Sequence, residues 1–285
     1  MAKRHKNHQP KRGLAERLQK SKLSYEKAFK QIMALYQQGE YKGALLKAKQ
    51  ALKLFPDQPE LLEKAGNFAI MSGEPDTAEV YYQKALKFNK NSHYLYYNLG
   101  CLLKNKNCLV EAERAFKKAL DIQVYFVDAH NALGNLYKQL GRYEEAEVRY
   151  KKAVEIKSDY VDAHNNLGNL YKQQKKDKQA EICYRTVLNL QADCVESANN
   201  LGNLLRDQGV YEEAEKYYRS ALKYQPDCSD AFINLGLLFA ELKQFKEAES
   251  CYHSAINIKP DFVEAYSNLA LIYKEQKCAN LSVFI

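Results

Sequence analysis

The sequence predicts an all-α solenoid built from antiparallel helix pairs, and three observations predict it. First, Leu99-Gly100, Leu133-Gly134, Leu167-Gly168, Leu201-Gly202 and Leu235-Gly236 recur every 34 residues, with Ala65-Gly66 and Leu269-Ala270 on the same grid. Second, with that glycine counted as the eighth residue of a unit, whole columns align. Position 20 is alanine in seven units (Ala44, Ala78, Ala112, Ala146, Ala180, Ala214, Ala248), and position 24 is aromatic from the second unit on (Tyr82, Phe116, Tyr150, Tyr184, Tyr218, Tyr252). Third, each unit carries two apolar stripes at helical spacing separated by a break. In the fourth unit these are Leu133, Leu136, Tyr137 and Leu140, then Tyr143, Ala146, Tyr150, Ala153 and Val154.

Taken in order, residues 1–24 form a basic leader: residues 1–22 hold eight Lys/Arg against the single acid Glu16. The remainder of the chain is close to neutral, so the net charge of +8 belongs to this tail. Such a composition predicts a leader without structure, with binding to nucleic acid, a membrane or an import receptor as the alternative. Seven units then begin at Tyr25, Pro59, His93, Val127, Val161, Val195 and Ser229 and end at residue 262. Glycine at Gly39, Gly73, Gly141 and Gly209 supplies the left-handed residue that ends the first helix of its unit. Pro56, Pro226 and Pro260 stop the second. Residues 263–285 read as the first helix of an eighth unit followed by an apolar stub, predicted to support self-association.

The eighth-position glycine is the packing signal. Glycine within a helix costs about 1 kcal/mol relative to alanine, and this chain repeats that cost. Small residues at positions 8, 20 and 27 let two helices approach closely, and large ones at positions 7, 11 and 24 fill the layer above. One pair cannot cover that face, whereas stacked neighbours can.

Composition and motif searches narrow the function. An apolar content of 46% with 27% charge is that of a folded chain. No apolar run approaches the roughly 20 residues of a membrane span. Seven cysteines without a paired spacing point to reduced thiols and a cytoplasmic setting, with the basic tail leaving a nuclear one open. The phosphate-loop, HExxH, GxSxG and paired-cysteine patterns do not occur. His130 and His164 share repeat position 4 and read as packing residues rather than metal ligands. No catalytic residue, cofactor or metal is predicted.

With these columns in place, the chain resembles the tetratricopeptide repeat (TPR) family over residues 25–276. The resemblance implies a right-handed superhelix of seven full repeats and a half repeat, binding a protein or peptide ligand in a groove lined by repeat positions 2, 5, 6, 9, 12 and 13. Carried over by position, the groove residues are Asn98, Asn166, Asn200, Asn234 and Asn268 at position 6. Position 9 gives Asn135, Asn169 and Asn203, with Asn67 in the same column. Position 12 gives Lys138, Lys172 and Arg206. An amide carries both donor and acceptor, so an asparagine series suits the backbone of an extended peptide. The competing reading is that these amides bond neighbouring helices. Position 5 holds no lysine, which removes a clamp for a C-terminal carboxylate. Segments such as Ile258–Gln276 also resemble the substrate-selecting arm of O-linked N-acetylglucosamine transferases, so a detached arm of such an enzyme is the alternative function. The primary expectation is a non-catalytic protein-interaction scaffold.

Overall fold

A computed structural model describes the backbone of residues 10–282 and the side chains of residues 22–275. Fifteen α-helices occur, and no strand is present among the described residues. They are α1 (Pro10–Gln37), α2 (Tyr41–Leu54), α3 (Pro59–Met71), α4 (Pro75–Phe88), α5 (His93–Asn105), α6 (Leu109–Ile122), α7 (Val127–Gln139) and α8 (Tyr143–Ile156). The remaining seven are α9 (Val161–Gln173), α10 (Asp177–Leu190), α11 (Val195–Asp207), α12 (Tyr211–Tyr224), α13 (Ser229–Glu241), α14 (Phe245–Ile258) and α15 (Val263–Ser282). Odd-numbered helices, called A below, alternate with even-numbered B helices. This is an all-α TPR solenoid. The chain divides into two compact units, residues 1–136 and 137–285, each described by itself.

The ends of the chain differ from expectation. Residues 10–24 are helical rather than an unstructured leader, because α1 begins at Pro10. Leu14, Ala15, Glu16, Arg17 and Leu18 are strong helix formers, and proline is tolerated in a first turn. Residues 1–9 lie outside the described residues. The stub expected after the eighth A helix continues that helix to Ser282, and residues 283–285 lie outside the described residues.

Every A helix that is followed by a B helix ends in the same way. In the first hairpin Gly39 N–H donates to the Tyr36 carbonyl at 3.0 Å, and Glu40 N–H donates to that of Leu35 at 2.9 Å. These two bonds satisfy carbonyls that the helix end would leave orphaned. The pattern recurs in all seven turns, whether or not glycine is present. Gly39, Gly73, Gly141 and Gly209 take φ of 73–79°, and Asn107, Lys175 and Lys243 are held at 58–60° in the other three turns. A left-handed residue with a Cβ costs about 1–2 kcal/mol, so the repeat imposes the turn even where the local sequence resists it.

The B helices stop in register too, and proline does not set the register. Lys90, Val124, Ser158 and Ala192 occupy the column of Pro56, Pro226 and Pro260. Yet in all seven repeats the N–H just after the helix bonds the position-27 carbonyl, as Gln123 does to Ala119 at 2.9 Å. Two of the proline-free turns are pinned from the next repeat. His130 Nε2 meets the Val124 carbonyl, and His164 Nε2 meets that of Ser158, both at 2.9 Å. Each histidine thus has a backbone partner and a structural task.

Between A and B helices the contact is as close as the sequence pattern demands. A Cβ built on Gly100, Gly168, Gly202 or Gly236 would lie 2.5–2.7 Å from the ring of Phe116, Tyr184, Tyr218 or Tyr252 respectively, and Gly66 meets Tyr82 likewise. The first repeat reverses the sizes: Ile32 fills position 8 and Ala48 stands at position 24, both fully buried in the core of the first unit. Volume across the A–B contact is conserved although both residues change.

Two predictions follow from these contacts. Gly202→Ala should lower stability by about 1–3 kcal/mol through overpacking, although alanine favours the helix. Denaturant titration monitored by circular dichroism measures this, and an unchanged midpoint would refute the packing account. Lys175→Gly and Lys243→Gly should each raise stability by up to about 1 kcal/mol by relieving the left-handed strain; thermal melting of the single and double variants tests the gain.

Candidate functional site

The sequence-predicted site residues all lie on A helices. Asn98 is on α5, Asn135 and Lys138 on α7, and Asn166, Asn169 and Lys172 on α9; Asn200, Asn203 and Arg206 are on α11, Asn234 on α13 and Asn268 on α15. All are half-buried. Helical geometry puts positions 6, 9 and 12 of one helix near a common stripe, so each unit carries a file of amides along successive A helices.

The amides are engaged with their neighbours. In the first unit Asn67 Oδ1 accepts from the Tyr82 hydroxyl at 2.7 Å and from Asn98 Nδ2, in the next repeat, at 3.4 Å. In the second unit Asn169 Oδ1 accepts from the Tyr184 hydroxyl at 2.8 Å and from Asn200 Nδ2 at 2.9 Å. Asn169 Nδ2 then donates to Glu196 Oε1 at 3.1 Å. Asn203 Oδ1 accepts from the Tyr218 hydroxyl at 2.7 Å, and Asn234 Nδ2 donates to Asn199 Oδ1 at 2.9 Å. Burial pushes the Tyr82, Tyr184 and Tyr218 phenols well above their ordinary range, so each stays protonated and can donate.

This network joins the A and B helices of one repeat to the A helix of the next. Each bond contributes about 0.5–1.5 kcal/mol net. The helix-bonding reading of the amides therefore describes Asn67, Asn98, Asn169, Asn200, Asn203 and Asn234. It does not consume them fully: the Oδ1 atoms of Asn98, Asn200 and Asn234 have no donor among the described residues. The tyrosine hydroxyls were not legible as partners from any single repeat. The signal lay in pairing of columns, since tyrosine at 24 accompanies asparagine at 9 in the second, fourth, fifth and sixth repeats, whereas Phe116 accompanies Cys101 and Ala48 accompanies Met33.

Two position-12 cations of the second unit, Lys172 and Arg206, are likewise tied across repeats. Lys172 pairs with Asp207 at 2.9 Å, and Arg206 lies 3.5 Å from Glu241. Their charge is largely compensated on the protein itself. Burial raises the Cys183 and Cys251 thiols to about 11, which keeps them protonated and poorly nucleophilic at neutral pH. Among the described residues no group of three or more His, Cys, Asp or Glu side chains is arranged to hold a metal, and no helix is long and apolar enough to cross a membrane.

Interlocked hairpins of constant length, joined by recurring side-chain bonds, define a helical-repeat protein. Models described as TPR repeat match residues 134–175, and others described as tetratricopeptide repeat match 29–93, 81–114, 161–194 and 199–261. The chain belongs to the tetratricopeptide repeat family. Among solved structures it is similar to YrrB, described as a TPR protein with an unusual peptide-binding site, at 26% identity and a TM-score of 0.54. That likeness covers 65% of this chain and 96% of YrrB. It also resembles pilF of Pseudomonas aeruginosa at 21% identity and a TM-score of 0.66, over 74% of this chain and 96% of that one. A tetratricopeptide repeat protein from Parabacteroides merdae matches at 17% identity and a TM-score of 0.67, over 88% of this chain and 99% of that one. These two likenesses concern the fold alone. No curated protein matches the chain.

The seventh repeat keeps the tyrosine but lacks the asparagine, and it supplies a test of the network. Leu237 stands at position 9 of the seventh repeat, opposite Tyr252 and Asn268, and all three line one cavity. Asn268 Nδ2 is buried without a partner there. Leu237→Asn should give the Tyr252 hydroxyl and Asn268 amide a shared acceptor and raise stability by about 1 kcal/mol. Thermal melting measures it, and a loss of stability would show that the cavity prefers the apolar side chain.

Proposed function

We infer that the chain is a non-catalytic interaction scaffold that holds an extended peptide, or an extended segment of a partner protein, along the amide-bearing wall of its A helices. The observation that carries this reading is the pair Asn200 and Asn234 in the second unit. Each donates one amide hydrogen to the protein and leaves its carbonyl oxygen and second N–H uncommitted on a half-buried surface. A half-buried amide with spare capacity on both sides suits a peptide group, which also offers one donor and one acceptor. Adjacent A helices pack roughly 8–10 Å apart, and an extended chain rises about 3.3 Å per residue. One asparagine would meet the peptide about every third residue.

The peptide-binding site ascribed to YrrB supports the class of ligand. Compensation of Lys172 and Arg206 by acids of the same chain argues against a ligand chosen mainly by negative charge. Backbone capture with weak side-chain preference is the mode these contacts favour.

The test replaces Asn166, Asn200 and Asn234 together by alanine and follows a fluorescein-labelled twelve-residue peptide of alanine and serine by anisotropy. Affinity should fall at least about tenfold, a change of 1.4 kcal/mol. Thermal stability should fall only by the few tenths to about 1.5 kcal/mol that each lost inter-repeat bond supplies. Unchanged affinity in a folded variant would overturn the reading.

A further inference from the structure

We propose that Glu196 is a positioning residue that sets the polarity of the binding wall in the second unit: through Asn169 it turns the carbonyl oxygen of Asn200 outward as an acceptor, so that the ligand is selected there by its backbone N–H groups. This inference rests on the binding reading above and adds the direction of the hydrogen bonds.

An asparagine amide is nearly symmetric in shape, so something must decide which end faces where. A tyrosine hydroxyl alone does not, because it can donate or accept. In the second unit a carboxylate supplies the decision. Asn169 places Oδ1 between two donors, the Tyr184 hydroxyl at 2.8 Å and Asn200 Nδ2 at 2.9 Å. Its Nδ2 faces the Glu196 carboxylate at 3.1 Å. Turning this amide over would set its carbonyl oxygen against a carboxylate oxygen with no proton between them. The orientation of Asn169 is therefore fixed, and it fixes the next amide. Asn200 must point Nδ2 at Asn169, which leaves its Oδ1 on the other side, without a donor among the described residues.

The first unit repeats the polarity independently. The Tyr82 hydroxyl and Asn98 Nδ2 both converge on Asn67 Oδ1, at 2.7 and 3.4 Å. The tyrosines are themselves rigid, because their rings lie against Gly66 and Gly168 with no room for a Cβ. In the third repeat both members change: Phe116 has no hydroxyl, and Cys101 stands where the asparagine would be. The seventh repeat shows the cost of mismatch, with Asn268 Nδ2 left unpartnered beside Leu237.

The experiment compares the all-amide alanine/serine peptide with a series in which one backbone amide at a time is replaced by an ester, which removes the N–H while keeping the chain extended. The wild-type protein should prefer the amide by about tenfold at the position opposite Asn200. In Glu196→Gln, Asn169 and Asn200 are free to turn over, because a glutamine accommodates either orientation of Asn169, and the preference should fall to within about twofold. Glu196 is exposed, so this variant should keep its fold. Tyr184→Phe is the control for loss of a buried hydroxyl: Glu196 still holds Asn169, so the preference should stay at the wild-type value. Phe116 packs against Gly100 as closely as Tyr184 does against Gly168, so the control should fold as well.

An amide preference that persists in Glu196→Gln, or that is lost in Tyr184→Phe, overturns the proposal while the binding reading stands. Equal binding of ester and amide peptides by the wild type overturns it as well. Binding of the all-amide peptide that is absent, or indifferent to the triple asparagine replacement, brings down the binding reading and this inference with it.

Discussion

Everything in this fold depends on one contact, the approach of a position-24 ring to a position-8 residue that has no side chain. Four of these rings lie where a Cβ would come within 2.5–2.7 Å. The helix accepts the loss of about 1 kcal/mol that glycine brings because the ring then buries nearly all of its surface, worth roughly 1.5–3 kcal/mol for a large side chain. The exchange in the first repeat shows that the requirement is volume, not glycine itself. There Ile32 and Ala48 trade the large and small roles, and both remain buried.

The same contact places chemistry on the surface. A ring clamped against the A-helix backbone has its hydroxyl at a fixed height beside position 9, where Asn67, Asn169 and Asn203 receive it. From there the bonds pass to the next repeat, through Asn98 and Asn200. Core packing and inter-repeat coupling are thus two consequences of one aromatic residue. Salt bridges such as Lys106–Asp76 and Arg185–Glu213 also cross repeats, but at exposed or part-exposed sites their contribution is small.

Much of this was legible along the chain. The A helices open at Pro59, His93, Val127, Val161, Val195, Ser229 and Val263, residues whose columns are visible as a 34-residue period. The left-handed turn was legible at Gly39, Gly73, Gly141 and Gly209, because glycine announces it. At Asn107, Lys175 and Lys243 it was not, since those residues take the conformation only under the constraint of the hairpin. Proline at Pro56, Pro226 and Pro260 announced a helix end, while Val124 and Ser158 gave no sign of the histidine in the next repeat that holds the turn. The helix from Pro10 was hidden by charge: eight basic residues suggest a solvated tail, yet leucine, alanine and arginine there favour a helix.

The candidate site divides along the same line. The sequence alone determined which residue types recur and with what period, because helix spacing and the small/large alternation are written locally. It therefore specified the family and the columns of asparagine. Only the tertiary structure decided which atom of each amide is used. Asn169 and Asn200 are separated by 31 residues, and Tyr184 approaches Asn169 only after two helices have closed on a glycine. Hydrogen-bond polarity is a property of three groups meeting in space, and no linear spacing records it.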